Sequence, residues 1–240
     1  MTRTFKVLSA LLSYPTAEIQ EAMDDCLPAL EQENLVPAPF YEGMTRLIGE
    51  YRDRDLIDLQ ERYVLLFDRT RSLSLHLFEH VHGESRDRGQ AMVDLQALYQ
   101  SHGLAIDTTE LPDYLPLFLE FLSTLPLEQA LKLLGEPAHV LAALGERLRK
   151  RDSSYAAAFE LLGALVAPAD PSVTETLMQE VDDDPEDLDA LDAAWETAAV
   201  RFGPETANDT CPKAIPILNR AKCPSSPGAA TVVQRGPNDD

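Results

Sequence analysis

The sequence predicts an all-α protein: a single domain of eight or nine helices followed by an acidic, largely disordered tail. Three observations carry that expectation. Apolar residues recur at three- and four-residue spacing over most of residues 1–168, no segment sustains the alternation of a half-buried strand, and Ser, Thr, Asp, Pro and Gly punctuate the periodic stretches where caps belong. With 240 residues, 45% of them apolar, the chain can also bury a substantial core.

The first helix runs from about residue 3 to Ser13 and stops before Pro15, because the residue ahead of proline is pushed out of the helical region. Its basic start and short apolar run copy a secretory signal, but Ser9 and Ser13 break the run and no A-x-A site comes after it, so it reads as a core helix. Thr16 can cap a second helix reaching about Leu30, with Ile19, Met23, Cys26 and Leu27 on one side. A third, Tyr41 to Arg52, aligns Met44, Leu47, Ile48 and Tyr51, and Asp55 can cap a fourth bearing Leu56, Leu59, Tyr63, Leu66 and Phe67. Ser85 is placed to cap a helix carrying Met92, Leu95, Leu98 and Tyr99, which Gly103 would end. Pro112 suits the first turn of a helix facing inward through Leu115, Leu119 and Leu122, with Asp113 as a capping residue. Helices from Leu127 to Leu134 and from Pro137 to Arg151 come next, the second ending in basic residues that suit a helix C-terminus, and "SSYAAAFELLGALV" closes the domain.

Beyond Pro168 the character changes. Asp152 to Val200 holds 13 acidic residues and no Lys or Arg, within a chain of net charge −21. Residues 169–203 read as an acidic segment with one short helix, in which Leu188, Leu191 and Trp195 could pack, and residues 204–240, with six prolines, as a disordered tail. The charge opposes nucleic acid and attracts basic peptides. Cys26, Cys211 and Cys223 form neither a C-x-x-C pair nor a zinc pattern, which fits a reducing cytoplasm, and no apolar stretch is long enough for stable membrane insertion.

Three constellations invite chemistry. If residues 72–82 are helical, His76 and His80 stand one turn apart and, with Glu84, could ligate a metal. The order is not H-E-x-x-H, and Leu75, Leu77, Phe78 and Val81 look like packing around a half-buried segment, so local hydrogen bonding or contact with a peptide is the better reading. "GESRDRG" could offer Arg86 and Arg88 to a phosphate at a helix start, but it lacks the P-loop pattern, is preceded by no strand, and carries Glu84 and Asp87. A metal- or nucleotide-dependent helical enzyme built on these residues is the rival reading. Glu110, Asp113 and Glu120 border an aromatic helix with no partner nucleophile in the sequence, so they suit capping or an arginine-bearing peptide better than acid–base catalysis.

Residues 63–95, "YVLLFDRTRSLSLHLFEHVHGESRDRGQAMVDL", together with "ELPDYLPLFLEFL" at 110–122, resemble the NarJ-type chaperones, the delta subunits of respiratory nitrate reductase, within the all-helical redox-enzyme maturation chaperones. The likeness extends over most of residues 1–203. It implies a cytoplasmic, non-catalytic assembly factor with no stably bound cofactor. Its partner would be the nitrate reductase alpha (catalytic) subunit, including that subunit's N-terminal peptide, with the beta subunit and molybdenum cofactor biosynthesis proteins as further partners. The client, not the chaperone, would acquire molybdenum cofactor and iron–sulfur clusters. Carried over by position, the family's F-D-R segment falls on Phe67, Asp68 and Arg69, and its signature loop on His80, His82, Gly83, Glu84, Arg86, Asp87, Arg88 and Gly89. The E-x-P-D-H peptide-recognition motif falls on Glu110, Pro112, Asp113 and Tyr114, so a tyrosine stands where the family has histidine and the titration near neutral pH is lost at that position. Tyr63, Phe67 and Tyr114 are the expected aromatic anchors of a client groove, and Asp113→Ala or Glu110→Ala is expected to weaken client binding with little loss of stability.

Overall fold

The computed structural model describes residues 2–82, 86–106 and 110–178, and these are all-α. Twelve α-helices occur among them: α1 Arg3–Leu12, α2 Ala17–Glu21, α3 Met23–Glu33, α4 Tyr41–Asp53, α5 Leu56–Tyr63, α6 Leu77–His82, α7 Arg86–Ser101, α8 Leu115–Thr124, α9 Leu127–Leu134, α10 Ala138–Lys150, α11 Ala156–Ala164 and α12 Pro171–Met178. Gly83, Glu84, Ser85, the side chain of Arg86 and residues 179–240 lie outside the described residues, so the Ser85 cap, the packing of Leu188, Leu191 and Trp195 and the Pro-rich tail are expectations on which the structure does not bear.

α1 lies at the centre, with α8 and α3 along its sides and α11 against it. Phe5, Leu8, Leu11 and Leu12 are fully buried there, which is why this apolar run is core. α10 packs on α11 and α12, and α4 on α3 and α11. The caps at Thr16 and Asp55 form as their sequence context predicts, accepting from the Ile19 and Ile57 N–H groups. Gly103, at φ 76, comes after α7 as expected of a left-handed C′ residue.

The helix count exceeds expectation because the second predicted helix is split in two and because α6 and α12 form as separate helices. The second predicted helix breaks at Ala22, where ψ is −7° and the Asp25 N–H closes a tight turn onto the Ala22 carbonyl. The break accompanies a long-range contact, Gln20 donating to the carbonyls of Tyr51 and Arg54. The fourth predicted helix stops at Tyr63 and continues as a π-helical turn, Val64–Asp68, in which the Arg69 N–H reaches back to the Val64 carbonyl. Helical packing also runs past Pro168 into α12, whose Leu177 packs against the core.

Two contacts fix how closely helices approach. A β-carbon on Gly43 would lie 2.9 Å from that of Ala157, and one on Gly145 3.1 Å from that of Phe159, so α4 and α10 meet α11 nearly backbone to side-chain root. Gly43→Val is expected to destabilise the protein by about 1–3 kcal/mol, readable in urea unfolding, because Ala157 has no flexible atoms to move aside.

Arg147 on α10 is fully buried. Its guanidinium donates to the Ser72 carbonyl at 2.7 Å and to the Leu177 carbonyl at 2.5 Å, tying the segment after the π turn to α12. Carbonyl partners of this kind are what a charge removed from water requires. Among the described residues no helix is long and apolar enough to cross a membrane.

Candidate recognition site

The motif residues converge where two short extended stretches cross. The Leu77 N–H donates to the Asp113 carbonyl at 3.1 Å and the Leu115 N–H to the Leu75 carbonyl at 2.9 Å, which sets His76 directly opposite Tyr114 in an antiparallel bridge. This bridge explains a correction. α8 starts at Leu115, with Pro116 in its first turn, because the bridge holds Tyr114 in extended backbone; Pro112 lies ahead of the helix and Asp113 does not cap it.

Asp113 instead serves the other side of the crossing. Its carboxylate, fully buried, accepts from the Phe78 N–H at 3.0 Å and faces His76 Nδ1 at 3.3 Å, so it satisfies the first turn of α6 from 35 residues away. The hydrogen bond to Asp113 raises the His76 imidazole above its ordinary value; burial opposes this, while Asp113, Glu79 and Glu110 add favourable charge. The Tyr99 hydroxyl donates to the Pro112 carbonyl at 2.7 Å, pinning the same loop to α7.

Beneath the crossing lies a ladder of tyrosines. Tyr63 donates to the Leu12 carbonyl at 3.0 Å, and its oxygen lies 2.7 Å from the Tyr114 oxygen; since a carbonyl can only accept, the proton between the tyrosines belongs to Tyr114. By the same reasoning Tyr155 donates to Tyr51, which donates to the Leu11 carbonyl. Two orphan carbonyls at the end of α1 are thereby satisfied from two directions. Phe67 meets Tyr63 at a tilt of 58° and Tyr155 edge to face, each with ring centroids 5.0 Å apart. Burial pushes the Tyr114 and Tyr155 phenols up to about 12 and Tyr63 higher still, so all three are neutral across the physiological range. Tyr63→Phe should cost about 1 kcal/mol in urea unfolding, since it removes the proton that reaches Leu12.

The predicted residues thus divide by depth. Tyr63, Phe67, His80 and Asp113 are buried, Pro112, Tyr114, His82 and Arg88 are partly exposed, and Asp68, Arg69 and Glu110 are exposed. Partial desolvation raises the Asp68 carboxyl, with His76 drawing it down. Arg88 of α7 pairs with Glu79 of α6 at 3.0 Å, and His82 meets Phe78 edge to face. Tyr63 and Phe67, two of the three expected client anchors, are buried in the core, and of that aromatic trio Tyr114 alone is partly exposed.

The premise of a metal site fails locally. α6 begins at Leu77, so His76 is outside the helix and turns to Asp113, while His80 Nε2 donates to the Ser74 carbonyl at 2.8 Å. Among the described residues no three His, Cys, Asp or Glu side chains are grouped to hold a metal. Cys26 is buried, its thiol pushed up to about 11 by burial, which removes it from thiolate chemistry. What sequence reasoning missed is the partner of His76, since Asp113 is joined to it by backbone pairing with no local sequence signal.

The family model of the nitrate reductase delta subunit matches residues 15–160. The chain is 43% identical over 198 residues to the nitrate reductase molybdenum cofactor assembly chaperone NarJ of Escherichia coli K12, covering 82% of this chain and 83% of that one. It is also 43% identical over 211 residues to NarW of the same strain, named as a probable chaperone of the same kind, covering 86% and 87%. A crystal structure of an Archaeoglobus fulgidus protein described in terms of redox enzyme maturation superposes with a TM-score of 0.51 at 20% identity, over 68% of this chain and 92% of that one, a likeness of fold. The match in sequence over most of its length places this chain in the nitrate reductase delta subunit family.

Proposed function

We propose that this protein is a cytoplasmic assembly chaperone, not an enzyme, that binds the apo catalytic subunit of respiratory nitrate reductase, including its N-terminal peptide. It holds that subunit, alone or with the beta subunit, competent for molybdenum cofactor and iron–sulfur cluster insertion before membrane docking. The chain itself keeps no cofactor.

The observation that carries this reading is the convergence of the E-x-P-D segment with the HLFEHVH segment, residues nearly forty positions apart that form one crossing; Asp68, Arg69, Glu110, Pro112, Tyr114, His82 and Arg88, all at least partly exposed, are its proposed client-facing residues. Glu84 and Arg86, which the family resemblance assigns to the signature loop, belong to the proposed peptide-binding set. Tyr63, Phe67, His80 and Asp113 act from below by holding the crossing in shape. The carboxylates at the mouth and the acidic segment, residues 169–203, favour a cationic peptide and speed its approach, more so at low salt.

The test is calorimetry of the full chain with the N-terminal peptide of its own organism's catalytic subunit, alongside native co-purification. Saturable binding at one peptide per chain and recovery of the molybdoenzyme subunit are expected; absence of both overturns the proposal. Glu110→Lys should weaken the peptide by roughly tenfold while changing stability by less than about 0.5 kcal/mol, since Glu110 is exposed.

A further inference from the structure

We propose that residues 213–222 of this chain, "KAIPILNRAK", occupy the crossing when no client is bound, as an intramolecular competitor that the client's peptide must displace. This rests on the chaperone reading above and names a second occupant of that same site.

The first observation is where the described chain ends. The guanidinium of Arg147 donates to the Ser72 carbonyl and to the Leu177 carbonyl, so a single side chain holds the end of α12 against the segment that enters the crossing. Ser72 is four positions before His76, and α6, which leaves the crossing, packs on α10 as α12 does. The chain beyond Met178 therefore sets out from beside the crossing. Residues 179–212 can extend over roughly 110 Å, so reach sets no limit. A segment tethered so near its seat acts at an effective concentration on the order of millimolar.

The second observation is complementarity. Lys213, Arg220 and Lys222 give the segment three cations and no carboxylate, in a chain of net charge −21. Between those cations stand Ile215, Ile217 and Leu218. The crossing presents the converse. Four carboxylates, on Asp68, Glu79, Glu110 and Asp113, outnumber the guanidinium groups of Arg69, Arg71 and Arg88, and Arg88 is already paired with Glu79. Leu111 is 44% exposed beside Glu110, and Phe78 and Tyr114 are partly exposed. A cationic, apolar peptide is what this surface suits, and the chain carries one of its own. Client binding is then an exchange, and its apparent affinity is the intrinsic one reduced by the fraction of molecules whose crossing is open.

The experiment uses the full chain. Cys211 and Cys223 flank the segment while Cys26 is buried, so a nitroxide can be attached to the two outer cysteines. Paramagnetic broadening of the His76, Leu77, Tyr114 and Leu115 amide signals is expected without client, and is expected to fade as the catalytic subunit's N-terminal peptide is added. A variant with Ile215→Ser, Ile217→Ser and Leu218→Ser keeps every charge; it should lose the broadening and bind the peptide roughly fivefold more tightly by calorimetry. Broadening centred on residues 179–200, broadening that saturating peptide leaves in place, or an affinity unmoved in the variant overturns this inference and leaves the chaperone reading standing. Broadening that disappears on dilution with unlabelled chain assigns the segment to a second copy and overturns the intramolecular competitor. No peptide binding by either protein overturns both readings.

Discussion

Asp113→Ala is expected to destabilise the protein by about 2–4 kcal/mol. The buried carboxylate accepts from the Phe78 N–H and faces His76, and hydrogen bonds to a charged acceptor contribute roughly 1.5–3 kcal/mol each, offset in part by relief of a buried charge. The loss appears in urea unfolding, with Asp113→Asn, which keeps one acceptor oxygen, falling between wild type and Ala. Sequence alone suggested a binding effect with little loss of stability; full burial and the cap supplied to α6 reverse that order for Asp113, while exposed Glu110 keeps it. The loss is also pH-dependent. His76 is raised by its bond to Asp113, so the pair's stabilisation is complete below the unfolded histidine value of about 6.5 and fades as pH rises through the raised folded value. The gap between wild type and Asp113→Ala should therefore be wider near pH 6 than near pH 8.5.

Arg147→Ala should be at least as costly, on the order of 3–5 kcal/mol, because it strands the Ser72 and Leu177 carbonyls and leaves a void between α10 and α12. Arg147→Met, which restores volume and removes the charge, separates the two contributions: recovery of most of the loss assigns it to the cavity, and little recovery assigns it to the carbonyls. Limited proteolysis provides an independent readout. Cleavage between Leu165 and Met178 should accelerate in Arg147→Ala, since α12 then loses its bond to α10.

Much of the fold was legible because its signals are local. Thr16 caps α2, Asp55 caps α5, Gly103 ends α7, and α1, α4 and α10 present stripes at helical spacing. The features that escaped depend on partners far along the chain. The break at Ala22 goes with bonds from Gln20 to carbonyls more than thirty residues away, and the late start of α8 with a bridge to residues 75–77. The π turn at Val64–Asp68 leaves no mark on the apolar pattern, since Leu66 and Phe67 are buried in it as they would be in a continuing helix. The site shows the same division. The sequence located its segments, but burial sorted Tyr63, Phe67, His80 and Asp113 from the exposed residues, and pairing joined His76 to Asp113.

The tyrosine ladder has a polarity. Its protons all point toward the end of α1, from Tyr114 to Tyr63 to Leu12 and from Tyr155 to Tyr51 to Leu11. Tyr114, the outermost rung, has already given its single proton inward, and what remains on its oxygen is lone-pair capacity. A group arriving at this tyrosine from outside finds an acceptor and no donor, so amides, ammonium and guanidinium groups are welcome there and carboxylates or phosphates are not. The same oxygen in a free tyrosine would have served either kind of visitor; here the helix at the far end of the relay has made the choice.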